Sequence, residues 1–269
     1  MNANRDREYL SILTRYIRVC ADYKPKLGHG AKNGYDLNEF RKIYGADPFY
    51  NWLVLDNPLM YAAHKTAGGM TSIYRQTGIG CEALFRKILQ DTLSLKQDDV
   101  KWSYTIPLSG GKSRTLYLDA RIPMDKVNDK EKREKIRRWI KEAAARLDVN
   151  DDVTASLTGV VFEIRQGYKS KDSKRQNADI ANAATAYTKG LLPCAGILSL
   201  QIDENVALRY RAAQWVVLTG STRNAVPYES IYGFMKDVIG YDLAGFFRRS
   251  SSILRKEVGR VLSVLLSPK

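Results

Sequence analysis

Apolar residues recur at helical spacing through Tyr9, Leu10, Leu13, Ile17 and Cys20, which predicts a helix over residues 5–24. A polar stretch punctuated by Gly28, Gly30 and Gly34 follows, then a short helix around 37–44. The aromatic run DPFYNWLVLDNPLMY comes next, and its Phe49, Tyr50 and Trp52 are expected in the core of a helical N-terminal part. TAGGMTS reads as a break before a helix over about 78–94, in which Leu84, Ile88 and Leu95 fall near helical spacing. The period then shortens to two. Residues 101–108 and 113–122 read as strands joined by Ser109-Gly110-Gly111-Lys112, a hairpin turn. A charged helix spans about 127–147, with Ile136, Ile140 and Ala144 inward. A strand at 158–166 and an Ala-rich helix at 173–190, closed by Gly190, follow. Residues 191–202 and 214–220 are apolar enough for central strands covered on both faces. Two helices, near 228–239 and 243–266, end the chain.

That order predicts an α/β protein with a mixed central sheet flanked by helices. It divides into a helical N-terminal region (1–75), an α/β core (76–220) and C-terminal helices (221–269). A length of 269 residues suits one large domain with helical additions. No apolar run approaches the roughly 18–20 residues of a membrane span. The amphipathic, charged N-terminus does not read as a secretory signal. Cys20, Cys81 and Cys194 are far apart and odd in number, so reduced thiols and a cytoplasmic location are expected.

Charge narrows the choice of partner. Lys and Arg number 43 against 29 Asp and Glu, a net charge of +14, and the isoelectric point is near 9.6. A polyanion suits such a surplus, because each neutralised phosphate releases condensed counterions. A merely basic protein or a membrane-surface binder is the alternative, but no lipidation signal or strongly basic amphipathic terminus supports the membrane. The two histidines, His29 and His64, and the absence of paired cysteines exclude a Cys/His zinc site of standard spacing. They also disfavour chemistry that depends on a histidine base, leaving carboxylates and lysines. Gly111-Lys112-Ser113 is not a phosphate loop, since Ile106 stands where the first glycine is required.

Strand alternation singles out two acids. Leu116, Leu118, Ala120 and Ile122 share one face, and Tyr117, Asp119 and Arg121 the other. In the later strand, Val161, Glu163 and Arg165 oppose Val160, Phe162 and Ile164. Two carboxylates in apolar strands need compensation. A divalent metal would supply it; so would buried salt bridges, for example to Arg165 and Arg121.

A strand Asp followed by a strand Glu-x-Lys resembles the signature of the PD-(D/E)xK nucleases, which include most type II restriction endonucleases. Here it takes the form Leu118-Asp119 and Glu163-Ile164-Arg165, within about residues 76–220. GGMTSIYRQTGIGCE and EIRQGYKSKDSKRQNADIANAATAY also resemble restriction-enzyme sequence. The resemblance implies a restriction-endonuclease-like sheet, with Mg²⁺ held by Asp119 and Glu163. It further implies a supplementary acid at Glu82 and site-specific hydrolysis of double-stranded DNA; related members act in repair or junction resolution. The sequence departs from the family in two places. Arg165 replaces the usual lysine and cannot give up its proton, so Lys169, Lys171 and Lys174 are candidates for a migrated role. The separation of 44 positions between Asp119 and Glu163 makes the 127–147 helix an insertion.

The neighbouring stretch RQGYKSKDSKRQ adds DNA contacts to that expectation. Arg165, Lys169, Lys171, Lys174 and Arg175 would clamp phosphates, and Gln176 or Asn177 would reach base edges from a helix start; a solvated loop and first helical turn is the plainer alternative. The rival to the enzyme is a non-catalytic DNA- or RNA-binding protein whose acids are structural. A homodimer is expected only from the symmetry of duplex sites.

Overall fold

The computed structural model describes residues 3–28, 30, 32–107, 110, 112–167, 173–223 and 225–267. By its contacts the chain divides into two compact units, Met1–Gly80 with Arg249–Lys269, and Cys81–Arg248. The stretches read from the sequence divide it at 75 and 220 instead.

In the first unit, α1 (Ala3–Val19) buries Tyr9, Leu13 and Ile17, as its apolar period predicts, and a 3-10 turn at Cys20–Asp22 ends it. α2 (Leu37–Gly45) opens on a capping box. The Asp36 side chain accepts from the Glu39 N–H, and the Glu39 carboxylate accepts from the Asp36 N–H. α3 (Pro48–Trp52) has Asp47 as its cap and proline in its first turn. Phe40, Tyr44 and Tyr61 form the local core, with Tyr50 stacked on Tyr44 at 4.7 Å. Phe49 and Trp52 do not join it as expected, being 59% and 77% exposed. Five residues give α3 one inward side, and Tyr50 takes it.

α4 (Pro58–Leu93) is one helix of 36 residues, so TAGGMTS is not a break. Gly68 and Gly69 lie inside it where neighbours come too close for a side chain. A Cβ at Gly68 would strike the Tyr23 ring, and one at Gly69 the methyls of Leu265. Close packing, not a turn, accounts for the pair.

The second unit carries two sheets. β1 (Trp102–Pro107) and β2 (Ser113–Leu118) form an antiparallel pair; of their connection, Ser109 and Gly111 lie outside the described residues. The second predicted strand does not continue through Asp119. β3 (Ala120–Pro123) begins after it and belongs to a four-stranded sheet of order β3-β4-β5-β6. The chain changes sheets at Asp119, which ends one ladder and precedes the next. α5 (Lys130–Ala145) buries Ile136, Ile140 and Ala144 as expected, and α6 (Asp151–Ser156) is a short helix the apolar pattern did not reveal. β4 (Gly159–Arg165) runs antiparallel to β3; α7 (Ser173–Thr188) then leads to β5 (Leu191–Ile197), parallel to β4. α8 (Glu204–Ala212), absent from the sequence reading, carries the chain to β6 (Val216–Leu218), parallel to β5. Its signals are the Asp203 cap and the inward spacing Val206, Ala207, Tyr210.

The mixed sheet is covered on both faces. Val161, Ala195, Ile197 and Val217 meet Ala183 and Ala186 of α7 and Val206, Ala207 and Tyr210 of α8. On the other face, Phe162 contacts Phe85 and Phe234, and Phe234 contacts Trp139. α9 (Ile231–Gly233) continues into a π-helical stretch, Phe234–Ile239, and α10 (Leu243–Leu266) follows. Val261 and Leu265 of α10 pack with Ile17 and Cys20 in the first unit. Among the described residues, no helix is long and apolar enough to cross a membrane. All three cysteines are free and buried.

Candidate functional site

The sheet register brings the two motif acids together. β3 pairs with β4 so that Ala120 opposes Phe162. The Asp119 N–H donates to the Phe162 carbonyl at 2.9 Å, which sets Asp119 beside Glu163 one step further along. The Ile164 N–H donates to Asp119 Oδ2 at 2.7 Å, so one backbone bond fixes this carboxylate across the strands. Arg86 of α4 also donates to the Asp119 carbonyl, at 2.7 Å. Glu82 lies one helical turn before Arg86, on the same face of α4.

Arg165, at the end of β4, joins these groups. Its guanidinium makes an ion pair with Glu163 Oε1 and lies 3.7 Å from Asp119 Oδ2. It also lies 3.6 Å from Asp179 Oδ2, on α7. Arg121, the other cation that might have paired with the acids, instead turns its Nε to the Asp99 carbonyl. Asp179 is buried and accepts from the Tyr210 hydroxyl of α8 at 2.5 Å. One turn on, buried Asn182 accepts from the Tyr104 hydroxyl of β1.

The sequence reading missed Asp179, Asn182 and Tyr210. A signal existed in α7, where Asp179, Asn182, Ala183 and Ala186 share the buried stripe at helical spacing. Two polar residues in the apolar face of so Ala-rich a helix mark a built polar contact.

Three carboxylates thus surround one guanidinium. Side-chain exposures are 18% for Asp119, 8% for Glu163, 8% for Asp179 and 11% for Arg165. The cluster has formal charge −2 where water is scarce, and Arg165 Nε is buried without a hydrogen-bond partner. Such an excess of buried anion is costly, and a divalent cation offsets it in a way that one arginine cannot. The donors are also of the right kind, since Mg²⁺ takes hard oxygens and needs only one or two carboxylates. Arg165 is the competitor for those oxygens. Among the described residues, no group of three or more His, Cys, Asp or Glu side chains is arranged to hold a metal.

A void of about 10 Å³ is lined by Glu163 and Arg165 together with Ala195, Ile197, Ile202, Tyr210 and Val217. That is room for about one water. Beyond Arg165, Gln166 and Gly167 are half-buried.

Of the expected DNA contacts, Lys169 and Lys171 lie outside the described residues. Lys174, Arg175 and Gln176 fall on the first turns of α7, but their side chains lie outside the description. Asn177 is exposed and accepts from Arg209 of α8 at 2.9 Å. Of the two histidines, His29 lies outside the described residues, and His64 Nε2 is 3.3 Å from the Tyr44 hydroxyl. Comparison of the chain with family models, curated proteins and solved structures gives no match. The resemblance to PD-(D/E)xK nucleases therefore rests on the motif residues themselves.

Proposed function

We propose that the protein is a Mg²⁺-dependent endonuclease that hydrolyses phosphodiester bonds of double-stranded DNA at specific sites. The observation that carries this reading is the pairing of Asp119 and Glu163 across β3 and β4 in an under-neutralised acidic cluster. The end of β4 precedes the cation-rich stretch 165–175, and in open α/β sheets ligands gather at the carboxyl ends of parallel strands. Asp119 and Glu163 would hold the metal. When bound, Mg²⁺ polarises a phosphate and makes a bound water more acidic. An arginine side chain does not serve as a general base, so the part of Arg165 is to steady negative charge on the phosphate. Asp179, itself fixed by the Tyr210 hydroxyl, stands beside that guanidinium and orients it. A twofold recognition site favours a homodimer.

The second reading, a non-catalytic DNA- or RNA-binding protein, is favoured by the ion pairs that Arg165 already makes with both motif acids. Incubating plasmid and long linear DNA with Mg²⁺, with EDTA and Glu163→Gln as controls, separates the two. Discrete fragments that vanish in both controls are expected. A smear with the same dependence points to a repair or junction nuclease. Salt-sensitive binding with no cleavage by the wild type would decide for the binding protein.

A further inference from the structure

The surplus of cations is not spread evenly. The first unit holds 16 Lys and Arg against 8 Asp and Glu in 101 residues; the second holds 27 against 21 in 168. Within the first unit, two ion pairs tie α1 to α10: Arg249 to Asp6 at 2.7 Å and Arg18 to Glu257 at 2.5 Å. The ties follow the same order along both helices, so these run side by side in the same sense.

Each helix presents a basic stripe on its exposed side. On α1, Arg7, Ser11, Arg15 and Arg18 recur at intervals of four, four and three; on α10, Arg249, Ile253, Lys256 and Arg260 recur at four, three and four. Such spacing keeps a stripe on one face. The six cations are exposed, while the two acids between the helices, Asp6 and Glu257, are already paired. The apolar sides of both helices are used in the cluster of Ile17, Cys20, Val261 and Leu265. Within the two stripes Ile253 is the one apolar residue, and the other large apolar residues exposed on these helices, Val19, Val264 and Leu266, lie toward their C-terminal ends.

We infer that this α1/α10 ridge is a docking surface for the phosphate backbone of duplex DNA, separate from the candidate site at β3 and β4. Duplex DNA offers a charge about every 1.7 Å of its axis, and 12 residues from Asp6 to Arg18 span roughly 18 Å of helix. Five of the six cations are arginines, whose forked guanidinium matches phosphate oxygens. Contacts of this kind position the duplex without reading its sequence. The ridge takes its duplex partner from the proposed function, but its binding does not require cleavage.

The test is binding of a fluorescent mixed-sequence 30-base-pair duplex by the full chain carrying Glu163→Gln in EDTA, across a salt series. Arg7→Gln, Arg15→Gln and Lys256→Gln are combined, because none of the three makes an ion pair among the described residues. A charge-matched control combines Lys130→Gln, Arg138→Gln and Lys141→Gln on α5, and melting temperatures confirm folding. The ridge variant is expected to bind about 10-fold or more weakly near 0.1 M salt, with a slope of log affinity against log salt smaller by roughly 2–3. The control should change far less. Equal effects of the two triple variants, or no effect of the ridge variant, would overturn the inference. So would ridge-dependent binding of phosphatidylserine vesicles with duplex binding unchanged. Wild-type cleavage alongside an unaltered ridge variant sinks the ridge alone. Ridge-dependent binding without wild-type cleavage sinks the nuclease alone.

Discussion

Arg165 illustrates why a residue's partners decide its role. The sequence placed it two residues from Glu163 on the same face of a strand; Asp179, 14 positions further on, became its third neighbour only through the packing of α7. Replacing it by Met leaves three poorly solvated carboxylates without a guanidinium, at an expected cost of about 3–5 kcal/mol. Mg²⁺ should then raise the melting temperature of Arg165→Met more than that of the wild type, since the ion no longer competes with arginine. Thermal melts with Mg²⁺ and with EDTA check this, and equal indifference of both proteins to Mg²⁺ would tell against a metal at Asp119 and Glu163. Tyr210→Phe removes the hydroxyl that Asp179 accepts from. It should cost about 1–3 kcal/mol in urea unfolding and lower kcat with KM for DNA unchanged, as loss of a positioning contact does.

At the scale of elements, α4 and the split strand at Asp119 show what a local pattern leaves open. Gly68-Gly69 is ambiguous in sequence, because glycine serves turns and close contacts equally well. Gly69→Ala should raise intrinsic helix propensity by about 1 kcal/mol. Its Cβ nevertheless meets Leu265, which is buried, and overpacking typically costs about 1–3 kcal/mol. The net expectation in urea unfolding is destabilisation, relieved when Leu265→Ala is added. A simple gain in stability from Gly69→Ala would show that Leu265 yields freely. Period-two alternation through 116–122 was legible, yet pairing decides which sheet each half joins. Leu118 and Ala120 are buried as alternation predicts, while Asp119 between them marks the change of ladder.

For the whole molecule, buried groups that titrate at high pH set the alkaline limit of stability. Burial pushes the Cys81 thiol from its ordinary 9.0 to about 12, with Glu82 adding to the shift. Burial likewise carries the Tyr232 hydroxyl from 10.0 to about 12. A group whose pKa is raised by folding keeps its proton in the native state after the unfolded chain has lost it. Its contribution is therefore complete below pH 9 and is lost as pH rises to 12. Melting temperatures should fall over that window, and less steeply in Cys81→Ala.

The sequence by itself determined the class of most elements, the inward faces of α1 and α5, the strand character of β4 to β6, and the pair Asp119 and Glu163. These follow from period, caps and the cost of placing acids in apolar strands, all properties of short segments. Tertiary structure decided that α4 is continuous, that α3 turns Phe49 and Trp52 outward, and that α8 lies between β5 and β6. It alone gathered Asp179, Tyr210 and Arg165, and set the stripes of α1 and α10 side by side. Those contacts join residues tens to hundreds of positions apart, and their free energy exists only once the packed chain brings the partners within reach.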